Sequence, residues 1–220
     1  MRATAQYPIA LALHRRACLV VGGGRVAQQK VKTLIAYGGR VTVVSPAVTP
    51  VLRRLARRGI IRWRRRTFQP RDVAGQSLVY GATDDPRTQS AVFRAAQRRR
   101  VLVNIVDQPA LCTFFAMAQV KRGDLTIAVT TGGRAPGVAK RARQDVERVI
   151  GLEYGTFLRL LERVRRVVRQ RVPTAARRKQ ILNRVIYGGV LEQLQRKRPR
   201  EAIRRAEQLL RRMLGEAIRL

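Results

Sequence analysis

The chain is 220 residues long and 45% hydrophobic, and it carries 47 Lys+Arg against 13 Asp+Glu, a net charge of +34 with its single histidine neutral. That length and apolar content suffice for one ordinary domain plus a smaller one, and they exclude a disordered tail protein. The basic excess is spread rather than tailed: residues 1–150 carry 28 basic and 7 acidic side chains, and residues 151–220 carry 19 and 6. A nucleic-acid arm would concentrate its charge in one block. Most of the excess therefore reads as an arginine bias on solvated faces, although the planar arginine fork also suits carboxylates and phosphates. Cys18 and Cys112 lie in apolar stretches with no metal-ligand spacing and form no disulfide framework, which fits a reduced, cytoplasmic setting. The apolar stretch 8–13 is too short for a signal-peptide core, and the longest uncharged run, 108–120, is about two-thirds of a membrane span. A soluble protein without a membrane partner is expected.

Residues 17–21 form an apolar, β-branched run that ends in three glycines, which reads as a buried parallel strand. Helical spacing follows over 25–37, with Val26, Ala27, Val31, Leu34 and Ile35 on one face, and Gly38-Gly39 stops it. Residues 41–44 read as a second strand, 51–58 as a helix ending at Gly59, 60–64 as a strand and 77–82 as another. A helix over 86–99 and a strand over 101–106 close the series. Strands alternating with helices imply right-handed βαβ units, so the expected fold is α/β, a Rossmann-type doubly wound parallel sheet. After Pro109 the pattern changes: a strand over 125–129, a turn at Thr130-Thr-Gly-Gly133, a helix around 138–150, and helices from 152 onward punctuated by Pro173, Gly188-Gly189 and Pro199.

Gly22-Gly23-Gly24-Arg25-Val26-Ala27 fits G-x-G-x-x-A between a strand and a helix. The first glycine permits a tight turn, the second lets a pyrophosphate approach the backbone, and the small sixth residue allows close packing of helix on strand. Amides at the helix N-terminus then face the phosphates. A structural tight turn is the plainer alternative. The acidic residue expected about twenty positions on is missing near Val44 and Ser45. Ser45 could hydrogen-bond a ribose hydroxyl, whereas Arg53 or Arg54 could meet a 2′-phosphate, so the residues alone leave NAD against NADP open.

Tyr7-Pro8-Ile9, Val20–Ala27 with Lys30, Ala82-Thr-Asp-Asp85, Val103-Asn-Ile-Val-Asp107 and Thr130-Thr-Gly-Gly133 with Pro136 occur in that order. Together they resemble the precorrin-2 dehydrogenase/sirohydrochlorin ferrochelatase family, the siroheme synthase N-terminal region and its stand-alone relatives. The likeness is specific over roughly 7–145 and only architectural beyond 150. It implies a Rossmann domain over 1–112, a dimerisation segment over 113–150 that interlocks a homodimer, and a helical domain over 151–220. It also implies the stand-alone form, because the chain ends before any methyltransferase half. The activity implied is NAD-dependent oxidation of precorrin-2 to sirohydrochlorin, with ferrous iron insertion in some members. By the same resemblance, cofactor contacts map to Gly22, Gly23, Gly24, Arg25 and Val26, to Pro46 and Ala47, and to Thr83. The key aspartate falls on Asp107. Asn104, Thr131 and Gly132 are assigned to the substrate, and Thr131 stands where some members carry a phosphorylated serine. Gln89 replaces the family's asparagine after Thr-Asp-Asp, and Met117 replaces a proline.

Asp107 ends an apolar strand at the carboxyl edge where ligands bind in open α/β sheets, which makes it the best candidate base. An apolar site there would raise its pKa towards a useful value. A turn cap before Pro109 is the alternative reading. Metal insertion must remove two pyrrole protons, so one carboxylate could serve both reactions. No protein metal site is expected, since His14 beside Arg15-Arg16 reads as a surface residue and the iron would be bound by substrate nitrogens. The tetrapyrrole of this family carries eight carboxylates, for which Arg134, Lys140 and Arg141 are candidate partners; a solvated helix face is the plainer reading of all three. Asp84-Asp85 reads as a cap for the following helix. Two other classes compete: a basic nucleic-acid-binding protein, disfavoured by an aromatic content of 5%, and a non-catalytic NAD/tetrapyrrole binder, which would have no need of Asp107.

Overall fold

Five strands, β1 (Ala17–Val21), β2 (Arg40–Val44), β3 (Arg62–Arg64), β4 (Leu78–Gly81) and β5 (Leu102–Ile105), lie parallel in the order β3-β2-β1-β4-β5. The central strand β1 is covered on both faces, which is why its sequence is a continuous apolar run instead of an alternating one. Cys18 and Val20 pack on one face with Ala27, Val31 and Leu34 of α1 (Arg25–Ala36) and Leu52 of α2 (Pro50–Arg57). Leu19 and Val21 pack on the other with Val92, Ala95 and Ala96 of α3 (Pro86–Arg98) and Val73 of a short 3-10 turn. This is the doubly wound sheet that the alternation of elements implies.

The apolar face of α1 is narrower than its spacing suggests. Ala27, Val31 and Leu34 are buried, but Val26 stands 43% exposed at the open end of the helix. Both following helices start on side-chain caps with proline at the first position: Thr49 Oγ1 accepts from the Leu52 amide (3.3 Å), and Asp85 accepts from the Arg87 and Thr88 amides (3.1 Å each). Asp85 is therefore the helix cap that its position before Pro86 suggests.

The structure, a computed structural model, describes residues 6–220 and divides into two units, the sheet unit ending at Ala116 and a second unit, Met117–Leu220. The second unit opens with an antiparallel hairpin of β6 (Ala118–Arg122) and β7 (Leu125–Val129), followed by α4 (Pro136–Val149), α5 (Glu153–Arg171), α6 (Ala175–Ile186), α7 (Val190–Gln195) and α8 (Pro199–Leu214). Strand β6 is not anticipated by the sequence pattern, because only Val120 of its five residues is buried and no apolar alternation marks it. The hairpin turns on Gly123 (φ +61), whose Cβ position lies 3.2 Å from Gly155 Cα, so a pair of glycines lets the turn seat on α5. Arg122 adds a link, donating from Nε to Ile150 O (2.8 Å) and from Nη2 to Glu147 O (3.1 Å) at the C-terminal end of α4. The helices close around Phe157, Leu160, Val164 and Val168 of α5, which recur at helical spacing and meet Ile181, Val185, Leu209 and Leu210. Among the described residues, no helix is long and apolar enough to cross a membrane.

Candidate cofactor and catalytic site

The strand order reverses between β1 and β4, so the crevice at their carboxyl ends is where an open α/β sheet takes its ligand. Each glycine of the loop after β1 has a different reason to be there. Gly22 adopts φ +117, and a Cβ on it would lie 2.0 Å from Ala82 O in the loop after β4. A Cβ on Gly23 would lie 1.9 Å from Ala47 O in the loop after β2. Gly24 meets nothing within 4 Å and is the N-cap of α1. Two glycines thus pack the loop between its neighbours, and the third leaves open space at a helix start. The cap makes no side-chain hydrogen bond and the first turn holds no acidic residue. The first-turn amides, those of Arg25 and Val26 included, have no capping side chain, and the exposed Val26 flanks them. Ala27, fully buried, supplies the close helix packing. This cradle fits a pyrophosphate: room for its oxygens, amide donors and the positive end of a 12-residue helix.

The loop after β2 is held from several sides. Ser45 Oγ donates to Ala47 O (2.7 Å), Trp63 Nε1 donates to Ser45 O (2.9 Å), and the Thr49 amide donates to Gly23 O (2.9 Å). The Ser45 hydroxyl proton is thereby engaged, which leaves its oxygen as an acceptor; Pro46 and Ala47 complete the turn. Arg53 and Arg54 are exposed on α2. Beside β3 lies a group that sequence reasoning missed. Asp72, only 2% exposed, accepts from Arg64 (2.5 Å), from Arg66 (2.6 and 2.8 Å) and from the Gln69 amide (2.9 Å). Burial by itself would raise its pKa, but the hydrogen bonds from Arg66, Gln69 and Arg64, with the Arg66 charge, outweigh that and lower it to about 2. In an arginine-rich stretch nothing local singles this carboxylate out.

In the loop after β4, Thr83 is held through its carbonyl by Gln89 Nε2 (2.7 Å), so the glutamine that replaces the family's asparagine still reaches the loop. The sheet unit contains only four carboxylates, Asp72, Asp84, Asp85 and Asp107. Asp72 is committed to arginines and Asp85 caps α3. The other two, Asp84 after β4 and Asp107 after β5, stand exposed at the carboxyl edge. Asp107 adopts φ +59. The apolar enclosure expected around it is absent from the described residues: its side chain is exposed, because β5 ends at Ile105 and the chain has already turned outward. Asn104 is half-buried and donates from Nδ2 to Phe114 O (3.0 Å). Tyr80, its neighbour across β4, is buried, which pushes its hydroxyl pKa up to about 12.

In the second unit, the Thr130–Gly133 turn winds through two glycines at positive φ, Gly132 (+65) and Gly133 (+78). Thr131 Oγ1 accepts from the Ala135 amide (3.2 Å) and so shapes the entry to α4. Arg134, Lys140 and Arg141 are all exposed, and Arg141 also donates to Asp145 (3.1 Å) one helical turn on. Arg134 and Lys140, without that carboxylate partner, are better placed to receive an anion than Arg141.

Comparison with known proteins gives a consistent picture. Residues 9–118 match the family described as putative NAD(P)-binding, and residues 153–210 match the sirohaem synthase dimerisation region. The latter match covers α5–α7 and most of α8, C-terminal to the 113–150 segment to which the resemblance assigns the interlock. Siroheme synthases of Methylobacillus flagellatus and Methylococcus capsulatus are 41% and 39% identical over 85% and 84% of this chain. The aligned regions are 40% and 39% of those relatives, so the chain spans about two-fifths of their length. Among solved structures, the precorrin-2 dehydrogenase SirC is 25% identical, covers 92% of this chain and 100% of its own, and superposes with a TM-score of 0.77.

Proposed function

The chain belongs to the precorrin-2 dehydrogenase/sirohydrochlorin ferrochelatase family, and from that membership we propose that it oxidises precorrin-2 to sirohydrochlorin with NAD and inserts ferrous iron to give siroheme. The observation that carries the reading is Asp107, an exposed carboxylate with no structural partner among the described residues, at the carboxyl edge of the sheet whose glycine loop opens at Gly24. The family description matched by α5–α8 supports a homodimer, and a biosynthetic enzyme of this kind acts in the cytoplasm.

In this reading the N–H groups at the start of α1 hold the pyrophosphate, with Gly24 giving it room and Gly22 and Gly23 fixing the loop. Ser45, Pro46, Ala47 and Thr83 contact the adenosine and ribose. When bound, NAD supplies the hydride acceptor. Oxidation of the tetrapyrrole releases a hydride and a proton, and Asp107 takes the proton. Iron enters as substrate, and the two pyrrole protons it displaces leave through the same carboxylate to water. Thr131, Gly132, Arg134 and Lys140, with a smaller part for Arg141, meet substrate carboxylates; charge-assisted hydrogen bonds of this kind contribute about 1.5–3 kcal/mol each. Arg64 and Arg66 beside the Ser45 loop are committed to Asp72, whereas Arg53 and Arg54 on α2 stand exposed, so the comparison of NAD with NADP decides between the two cofactors.

The test is an anaerobic absorbance time course with precorrin-2, with NAD, with NADP and with neither, followed by ferrous iron. NAD-dependent appearance of sirohydrochlorin and its enzyme-dependent conversion to siroheme support both activities. Folded protein that binds NAD without turnover makes the chain a binder instead. Asp107→Ala should lower the oxidation rate by about 10²–10⁴-fold. If that variant still chelates iron at the wild-type rate, the idea of one base for both reactions is wrong.

A further inference from the structure

The side chain of Asp107 makes no hydrogen bond or ion pair among the described residues, and its backbone sits in the left-handed region at φ +59. Around it the Gln108 amide donates to Ile105 O (3.2 Å), closing a turn in which Asp107 is the third residue, and aspartate enters this region more readily than most side chains. Closure of the loop on either side fixes where that turn stands. The near end is fixed to β4 by the Val106 amide, which donates to Gly81 O (2.9 Å). The far end folds back onto β5: the Thr113 amide donates to Val103 O (2.8 Å), the Val103 amide donates to Thr113 Oγ1 (2.9 Å), and Asn104 Nδ2 donates to Phe114 O.

Asn104 is the unusual member of this closure. Its neighbours Val103 and Ile105 are buried in the core on the α3 side, so Asn104 projects to the opposite face, next to Tyr80. There an apolar residue would pack as well as an amide, and the amide has one visible task, the bond to Phe114. The Phe114 ring is in turn seated edge-on against Tyr80 (centroids 5.3 Å apart, 72° between planes), and Lys30 Nζ of α1 lies 5.3 Å from the same Tyr80 ring. The helix whose first turn forms the phosphate cradle and the loop that carries Asp107 are thus fastened to one aromatic pair.

We propose that Asn104 is a positioning residue for Asp107, acting through Phe114 to hold the 106–112 loop, and not a group that binds the tetrapyrrole. This rests on the reading of Asp107 as the base. The test is Asn104→Asp, which keeps the shape but replaces the donor with an oxygen facing the Phe114 carbonyl. The expected result is a kcat for precorrin-2 oxidation lowered about 10–100-fold, with KM for precorrin-2 and Kd for NAD within about twofold of wild type, and no further loss when added to Asp107→Ala. Amide exchange at Leu111 and Thr113 should speed up at least about tenfold, since both amides close this loop. A raised KM with kcat kept would make Asn104 a substrate contact and overturn the proposal, as would unchanged exchange. If Asn104→Asp does not fold, Phe114→Leu, which removes the seat on Tyr80 and leaves the amide, should give the same pattern more weakly; normal kcat and exchange in it would equally overturn the proposal. Should the wild type not oxidise precorrin-2 at all, the functional reading fails, while the exchange measurement still decides whether Asn104 holds the loop.

Discussion

The two units carry the same net charge by different routes. The sheet unit has 21 basic and 4 acidic residues and the second unit 26 and 9, which is +17 in each. In the second unit four of the nine acidic residues, Asp145, Glu147, Glu201 and Glu216, form surface ion pairs, which contribute little to stability. In the sheet unit every carboxylate has its own place: one in the core, one at a cap, two at the ligand edge. Equal charge therefore says nothing about function, and the position of the few acidic groups says a great deal. A second contrast runs through the backbone. The sheet unit is assembled by close approaches at its loops, whereas the helical part of the second unit is held by side chains meeting at helical spacing.

Glycine substitution should break that contrast most sharply. Gly23→Ala places a Cβ 1.9 Å from Ala47 O and is expected to destabilise the sheet unit by at least about 3 kcal/mol. Gly24→Ala, at φ −78 with open space around it, should change stability by less than about 0.5 kcal/mol yet weaken NAD binding about tenfold. Denaturation monitored alongside NAD titration separates the two effects, and equal losses of stability would contradict the geometry. Core truncation probes the other side. Leu210→Ala, fully buried among α5–α8, should cost the second unit about 2–5 kcal/mol. NAD affinity should stay the same, because every cofactor contact proposed lies in the sheet unit; a fall in affinity would show that the two units are not separable.

A further effect is a pH dependence confined to the sheet unit. The Asp72 carboxyl titrates near 2 in the folded protein against 3.8 ordinarily. Between those values the unfolded chain binds more protons than the folded one, so stability rises with pH there. The contribution of the Arg64–Asp72–Arg66 group is complete above about pH 4 and is lost, by about 2 kcal/mol, as the pH falls towards 2. Asp72→Asn should remove this slope from the acid denaturation profile; an unchanged slope would mean that other carboxylates set it.

Much of this was legible in the chain itself. The runs at 17–21 and 41–44, the glycines at 22–24 and the stops at Gly38 and Gly59 specify strands, helices and a phosphate loop, because period, branching and glycine act over a few residues. The candidate base was legible too, as a carboxylate at a strand's end. Tertiary structure alone decided the rest. Whether Gly22 or Gly24 is the open position depends on how near Ala82 and Ala47 come. Whether Asp107 is enclosed depends on where the chain turns after β5. Strand β6 exists because β7 and α5 are beside it, not because its five residues ask for it. Asn104 looks like a ligand contact in a motif, and the strut proposed for it rests on Phe114, ten residues on, folding back over Tyr80. A sequence pattern reports a residue's own preference. The job of a polar group is set by which partner completes its hydrogen bond, and that partner is brought by the fold.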